Sequence, residues 1–194
     1  MVQIVNNHYI MKSLVLLLVL ANGLAYSQKS ISERLSQKEA KAKTITYLID
    51  ASYVNIGSYG NMIVVYNTKN NWINTLPNYN YRGTFRNCMG TKEDQLNWMK
   101  AIKKAVKDAF TKNRLEELKE ERLSFTVAFS PQGKPMGVEF FIMTKEQTKL
   151  TLEELEDIET NLMRDVKLNF KCQEKITNYN RIPITPTYNL KDLL

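Results

Sequence analysis

The chain has 194 residues, and its 27 lysines and arginines against 20 aspartates and glutamates give a formal net charge of +7. Its only histidine is His8, which lies in an N-terminal segment that we expect to be removed. A mature chain without imidazole excludes Ser-His-Asp and Cys-His catalysis and the usual zinc sites, so we expect a non-enzymatic protein without metal or other cofactor.

The first 27 residues, 1–27, have the layout of a cleavable export signal. Lys12 precedes an apolar run from Leu14 to Ala21, and small residues follow up to Ser27. This run is far shorter than the roughly 20 residues that a membrane-spanning helix needs. We take Met11 as the true start and expect cleavage after Ser27, which would export the mature protein.

After the signal, composition predicts a short leader and then one domain. Residues 28–43 are rich in Ser, Lys, Glu and Ala, which indicates a tether or a short helix. We expect residues 44–194 to form a single domain. Its first two strands are predicted at Thr44 to Val54 and Met62 to Tyr66, where β-branched and aromatic residues are concentrated.

Asn, Tyr and Trp then crowd residues 67–89 without a helical period, which predicts a loop with a short strand at Tyr79 to Arg86. The aromatic rings of Trp72, Tyr79 and Tyr81 could stack on sugar rings and make this loop a glycan site. The ordinary interpretation, that these rings pack back onto the core, stays open.

The next segment predicts an amphipathic helix that starts at a capping box formed by Thr91 and Asp94. Apolar residues recur at three- and four-residue steps and predict its core face: Leu96, Met99, Ile102, Val106 and Phe110. A stripe of lysines lies off that face: Lys100, Lys103, Lys104 and Lys107. The stripe could bind acidic lipids or acidic glycans, or it could be a solvated helix surface. We expect no nucleic-acid partner, because no signature of RNA or DNA recognition is present.

A β-hairpin is predicted next. Apolar and polar residues alternate from Leu123 to Phe129, a turn sequence spans Pro131 to Gly133, and alternation resumes from Met136 to Ile142.

A second helix follows, with a capping box at Thr151 and Glu154. Its predicted core face is formed by Leu155, Ile158, Leu162 and Val166. We interpret its acidic residues as charges on a solvent-facing first turn, because acid catalysis would need an apolar pocket around one of them. A hydrolase based on carboxylates is therefore the lowest-ranked alternative. The acidic residues are Glu153, Glu154, Glu156, Asp157 and Glu159.

The C-terminal tail carries Pro183 and Pro186, which suit an edge strand better than a central one. A free edge could pair with an extended segment of another protein, either here or along Phe125 to Phe129. In the tail the residues of this candidate edge are Ile182, Ile184, Thr185 and Tyr188. The prolines could instead only protect the edge from pairing.

The two cysteines, Cys88 and Cys172, form an even pair in a chain that we expect to meet an oxidising compartment. One disulfide between them is the default expectation, and two buried free thiols are the alternative.

The order hairpin, helix and extended final segment over Leu123 to Leu190 resembles the C-terminal domain of TonB-type energy transducers. The resemblance implies a ββαβ arrangement and an envelope protein of a Gram-negative bacterium, located in the periplasm or at the cell surface. Shared architecture without kinship stays open, and the family's Trp-Pro element and Pro-rich spacer have no counterpart here. The chain also resembles small, uncharacterised exported proteins of such bacteria.

Together these observations predict an α+β fold with an antiparallel sheet and two principal helices. The function that we expect is protein interaction through a sheet edge, with an envelope protein as partner. Binding of glycans or acidic lipids is the alternative, and the sequence leaves the oligomeric state open.

Overall fold

A computed structural model describes residues 28–50, 62–70, 88–143, 148–171, 176 and 180–194. The strands are β1 Glu39–Lys41, β2 Thr46–Asp50, β3 Met62–Asn67, β4 Arg122–Phe129, β5 Pro135–Met143, β6 Ile182–Ile184 and β7 Thr187–Asn189. The helices are α1 Lys92–Lys107, α2 Lys112–Glu117 and α3 Leu152–Asp165, and two short 3-10 helices span Ile31–Arg34 and Leu190–Leu193. The α+β class is confirmed, and the two principal helices are α1 and α3.

The strands form one antiparallel sheet in the order β1-β2-β3-β5-β4-β6, and β7 also pairs with β4. The predicted alternation sets the two faces. Phe125 and Val127 of β4 lie opposite Phe140 and Val138 of β5, and all four side chains are buried in the core. Helix α3 packs against β5, and α1 packs on α3, so the core lies between the sheet and these two helices.

The predicted hairpin is present as β4 and β5. In its turn Gly133 has a φ of +77°, a conformation that glycine adopts without strain. The backbone N–H of Gly133 donates to the carbonyl of Ser130 at 2.8 Å, and the N–H of Ser130 donates to the carbonyl of Lys134 at 2.8 Å. The turn also packs on the segment after α3, because Leu168 N–H donates to the carbonyl of Gly133 at 2.9 Å.

Both predicted capping boxes are present, at Thr91 with Asp94 and at Thr151 with Glu154. The predicted core face of α3 is buried in full. None of the described helices combines the length and the apolarity that crossing a bilayer requires.

The predicted core face of α1 is wrong in part. Ile102 and Val106 are buried, but Leu96 and Met99 remain 59% and 43% exposed. Trp98 and Ala105 take the buried positions instead. The indole of Trp98 packs edge-on against Phe170, with ring centroids 5.8 Å apart. The helix therefore turns a different face to the core from the one that the apolar spacing predicted.

The segment predicted as a tether or short helix contains the short 3-10 helix Ile31–Arg34 and is built into the fold. The buried Ile31 donates its N–H to the carbonyl of Leu150 at 2.8 Å, next to a bridge between Ser30 and Thr151. Strand β1 then adds to the sheet beside β2. Its polar sequence carries no strand signal, because only Ala40 faces the core.

Candidate interaction sites

Strands β6 and β7 form one continuous edge strand along β4. Val127 pairs with Ile184 and Ser124 with Thr187, which is the same register on both sides of Pro186. Between these pairs the hydroxyls of Thr126 and Thr185 lie 2.8 Å apart. No other described strand pairs with the outer side of this strand.

Backbone hydrogen bonds to β4 occur at alternate residues of the edge strand. Phe125 N–H donates to the carbonyl of Pro186 at 3.3 Å, and Leu190 N–H donates to the carbonyl of Glu121 at 3.0 Å. In an antiparallel pair the intervening residues direct their N–H and C=O groups to the other side. The backbone groups of Thr185, Thr187 and Asn189 therefore point away from the sheet, and the side chains of these three residues are exposed.

The four residues of the predicted interaction edge differ in their exposure to solvent. Ile182 and Tyr188 are buried, Ile184 is half-buried, and Thr185 is exposed. The alternative edge at Phe125 to Phe129 is wrong, because β4 is central and has partners on both sides.

Tyr188 places its phenol hydroxyl in a buried position. The ring lies beside Phe125, with centroids 6.2 Å apart, and the residue is only 9% exposed. Its hydroxyl is buried without a hydrogen-bond partner among the described residues. Burial raises the pKa of this phenol to about 12. Most buried hydroxyls in folded proteins have a partner, so this one is an exception within the described part of the chain.

The opposite edge of the sheet, formed by β1, is protected from pairing with another strand. Ala40 of β1 pairs with Tyr47 of β2, and the backbone bonds on either side of this pair fix which groups face β2. The carbonyl of Lys41 therefore points outward. There it accepts a hydrogen bond from Nη1 of Arg34 at 3.1 Å. Glu39 and Lys41 add exposed charges on this short strand, and charges of this kind oppose pairing with another chain.

The lysine stripe of α1 is exposed along its length, at Lys100, Lys103, Lys104 and Lys107. Lys104 forms an ion pair with Asp108, and Nζ of Lys107 donates to the carbonyl of Leu194 at 3.3 Å. The exposed Leu96 and Met99 lie on the same side of the helix as Lys100 and Lys103.

The prediction that the acidic residues of α3 face solvent is wrong for three of them. Glu154, Glu156 and Glu159 are buried, and each has hydrogen-bond donors from another part of the chain. Glu154 accepts from Nε of Arg114 at 2.6 Å. On the same first turn, Glu153 accepts from Nη2 of Arg34 at 3.0 Å.

Glu156 closes the turn between β1 and β2. Its carboxylate accepts from the backbone N–H groups of Lys43, Thr44 and Ile45 at 2.8 to 3.2 Å, and from the Thr44 hydroxyl at 2.5 Å. Desolvation opposes ionisation of this carboxyl, but the hydrogen bonds from Thr44, Ile45 and Lys43 together lower its pKa. Three successive N–H groups that converge on one anion form a nest.

Glu159, one turn further along α3, is held differently. It accepts from the Tyr47 hydroxyl at 2.7 Å and from Nδ2 of Asn67 at 3.4 Å. Desolvation raises its pKa against the lowering effect of these two donors. Two carboxyls with opposite pKa shifts are a pattern of acid-base catalysis. Glu156 and Glu159 are only 4% and 3% exposed, however, and their oxygens are occupied by protein donors, which favours a structural role.

A polar row crosses the face of the sheet that lies opposite the helices. Tyr66 of β3 pairs with Glu139 of β5, and Glu139 pairs with Thr126 of β4, whose hydroxyl contacts Thr185. Desolvation raises the pKa of Glu139, and the charge of Arg181 opposes this shift. The row escaped sequence reasoning because the order β3-β5-β4 is not the order of the chain.

Several predicted site residues lie outside the described residues: Trp72, Tyr79, Tyr81 and Cys172. The glycan site and the disulfide therefore stay predictions. Cys88 itself is buried, and its carbonyl accepts from the N–H of Lys171 at 3.0 Å, which brings the residue before Cys172 alongside it. In the described part of the chain, His, Cys, Asp and Glu side chains form no group of three that could hold a metal ion.

No protein-family profile matches the chain, and no curated protein matches it. Among solved structures, it is similar to a DUF5043 family protein from Bacteroides uniformis ATCC 8492, at 21% identity and a TM-score of 0.61. The match covers 77% of this chain and 83% of the other, and at this identity it shows the fold alone. The neighbour comes from a Gram-negative bacterium and fits the expectation of an uncharacterised family. The resemblance to TonB-type domains is not shown by these comparisons.

Proposed function

We propose that this protein is a non-enzymatic interaction module of the cell envelope, which captures an extended segment of a partner protein along the β6-β7 edge. The observation that carries the proposal is the outward backbone of Thr185, Thr187 and Asn189. These residues offer three N–H donors in a single register along β4. Backbone donors in this arrangement can bind any extended chain, and neighbouring side chains then select among sequences.

The contrast between the two edges of the sheet supports this site. Arg34 and the exposed charges of β1 protect one edge, whereas the outward side chains of the other are threonine and asparagine. Threonine suits a strand that pairs on both sides. Pro183 limits the site at its start because it offers no N–H, so the partner would pair from Thr185 onward.

Tyr188 anchors the edge strand that would receive the partner. Its ring is buried in the core beside Phe125, whereas its neighbours Thr187 and Asn189 are exposed. The edge strand is therefore held to the body of the protein while its outward backbone groups stay accessible to a partner.

Site-specific photocrosslinking tests the proposal. A benzophenone amino acid at Thr187 should crosslink a defined envelope protein in the native host, and the same probe at Thr160, an exposed position on α3, should not. Capture should persist at about 0.5 M salt, because backbone hydrogen bonds are screened less than exposed charges.

Proline substitution then tests the role of the backbone. The double variant Thr185→Pro/Thr187→Pro removes two outward donors and leaves the backbone bonds to β4, so it should fold and lose the partner. It also removes the hydroxyl contacts of Thr185 with Thr126 and of Thr187 with Ser124, which the valine control removes equally. The matched variant Thr185→Val/Thr187→Val keeps both N–H groups and should retain the partner. Proline at Thr126 would not test the edge, because Thr126 lies in the central strand β4, where proline would remove hydrogen bonds within the sheet. Capture by the folded proline variant, or complete loss of capture in salt, would sink the proposal.

A further inference from the structure

Helix α1 exposes a face that combines lysine with large apolar side chains. At 3.6 residues per turn, six of its residues fall within an arc of about 100°. We call this arc the outer face, and it consists of Lys92, Leu96, Met99, Lys100, Lys103 and Lys107. It is separate from the β6-β7 edge, so any ligand of the outer face is independent of the proposed function.

The apolar part of the outer face is a pair of neighbours. Leu96 and Met99 are one turn apart on the helix and are 59% and 43% exposed. A single exposed apolar residue is ordinary on a protein surface. Leu96 and Met99 are two adjacent exposed apolar residues, and lysines flank them on the helix surface. This arrangement resembles the apolar side of a helix that lies at a membrane interface.

The charge of the outer face is uniformly positive. Its four lysines are exposed, and the acidic residues of the same helix, Glu93 and Asp94, lie outside the arc, as does Asp108 beyond its end. Lys104 also lies outside the arc, and there it pairs with Asp108. The positive charge of the face is therefore not balanced by acidic residues of this helix.

We infer that the outer face of α1 docks on a membrane surface that contains anionic phospholipid. The lysines match the charge of the lipid phosphates, and their long side chains can reach the headgroups while Leu96 and Met99 enter the boundary with the acyl chains. A soluble polyanion would satisfy the lysines but would give the two apolar side chains nothing to bury against. With only two apolar side chains, binding is reversible and depends on charge.

Sedimentation with lipid vesicles tests this inference on the purified protein. We expect the protein to bind vesicles of mixed phosphatidylcholine and phosphatidylglycerol at low salt, and to leave them at about 0.5 M salt. It should not bind vesicles of phosphatidylcholine alone. The variant Lys100→Gln/Lys103→Gln should lower the partition coefficient by about 25-fold, which is roughly fivefold for each lysine.

Two further variants separate this face from general electrostatic attraction. Lys119→Gln/Lys134→Gln removes the same charge from exposed positions outside α1 and should change binding by less than about twofold. Leu96→Ser/Met99→Ser keeps every lysine and should weaken binding by about tenfold. Thermal unfolding of each variant verifies that it is folded.

Three results would overturn the inference. The first is the absence of any preference for phosphatidylglycerol. The second is an equal loss from the control lysines, which would assign binding to net charge. The third is unchanged binding by Leu96→Ser/Met99→Ser together with full competition by dextran sulfate, which would assign the face to a soluble polyanion.

Discussion

The hydroxyl of Tyr47 in strand β2 donates a 2.7 Å hydrogen bond to the carboxyl of Glu159 in helix α3, and both residues are buried. This bond joins residues 112 positions apart in the chain and fixes the helix over the edge of the sheet. It also places a titratable group inside the core.

Stability should fall with rising pH because of Glu159. Desolvation raises its pKa above the ordinary value of 4.5, so the folded state binds this proton more tightly than the unfolded state does. The contribution of this group is fully present below pH 4.5 and is lost as pH rises through the raised pKa. We expect Glu159→Gln to gain stability relative to wild type as the pH rises above 4.5, measured by urea unfolding at a series of pH values. A relative loss over that pH range would contradict this account.

Glu156 should have the opposite dependence. Its pKa is lowered, so its contribution is present above the ordinary value of 4.5 and is lost as pH falls through the lowered pKa. Glu156→Gln should cost about 2–3 kcal/mol at pH 7, because it removes the charge from four hydrogen bonds. As a control, Asp157→Asn breaks only the exposed ion pair with Lys43 and should cost less than about 1 kcal/mol. Equal losses in urea unfolding would refute the distinction.

Gly133→Ala should be severely destabilising. A Cβ atom at this position would lie 1.8 Å from the carbonyl oxygen of Leu168, and the φ of +77° is strained for alanine. We expect a loss of more than about 3 kcal/mol in the free energy of unfolding. At Gly90, which has the same φ, the three atoms nearest to a Cβ all belong to the Asp94 side chain, the closest being Oδ2 at 2.5 Å. This side chain can shift, but only by disturbing the capping box with Thr91, so Gly90→Ala should cost about 2 kcal/mol. Thermal unfolding of both variants measures the difference, and a milder effect at Gly133 would be inconsistent with the packing of the hairpin turn.

Tyr188→Phe should leave the protein as stable as wild type or more stable. Removing a buried hydroxyl that lacks a partner among the described residues should leave the free energy of unfolding unchanged or raise it by about 1 kcal/mol. Tyr47→Phe is the matched control, since it removes a bonded hydroxyl and should cost about 1–3 kcal/mol in urea unfolding. A loss of stability at Tyr188 as large as that at Tyr47 would mean that its hydroxyl is already satisfied.

We predict that Cys88 and Cys172 form a disulfide when the protein is purified from an oxidising compartment. The hydrogen bond from Lys171 to Cys88 supports their proximity. Intact mass should show the native protein lighter than the reduced one by two hydrogen atoms. Closing a loop of this length should contribute about 4.5 kcal/mol in the chain-entropy model, which Cys88→Ser/Cys172→Ser would remove. Alkylation of both cysteines in unfolded, unreduced protein would exclude the bond.

Local patterns predicted much of the fold. Alternation indicated β4 and β5, and the capping boxes at Thr91 and Thr151 marked the starts of both long helices. These signals are local because each depends on a few neighbouring residues. Strand β1 could not be predicted in this way, since its stability comes from pairing with β2 and not from its own polar sequence.

The candidate sites were less accessible to sequence reasoning. The sequence places the lysines of the outer face correctly but predicts Leu96 and Met99 in the core, because their spacing fits a buried stripe as well as that of Trp98 does. The contact between Trp98 and Phe170 decides between the two, and it joins distant parts of the chain. The burial of Glu156 depends likewise on a turn more than 100 residues earlier. The edge was predicted correctly as a strand, but which backbone groups face outward required the register with β4.

The hydrogen bond from Arg34 to the carbonyl of Lys41 limits how large an assembly of this protein can become. An open-ended fibre requires each molecule to offer two sheet edges, one for each neighbour. Here one edge is a strand of three residues with exposed charges at Glu39 and Lys41, and the chain's own guanidinium group bonds its last outward carbonyl. Two copies that met through β6 and β7 would consume both remaining edges, so strand pairing would end with a dimer.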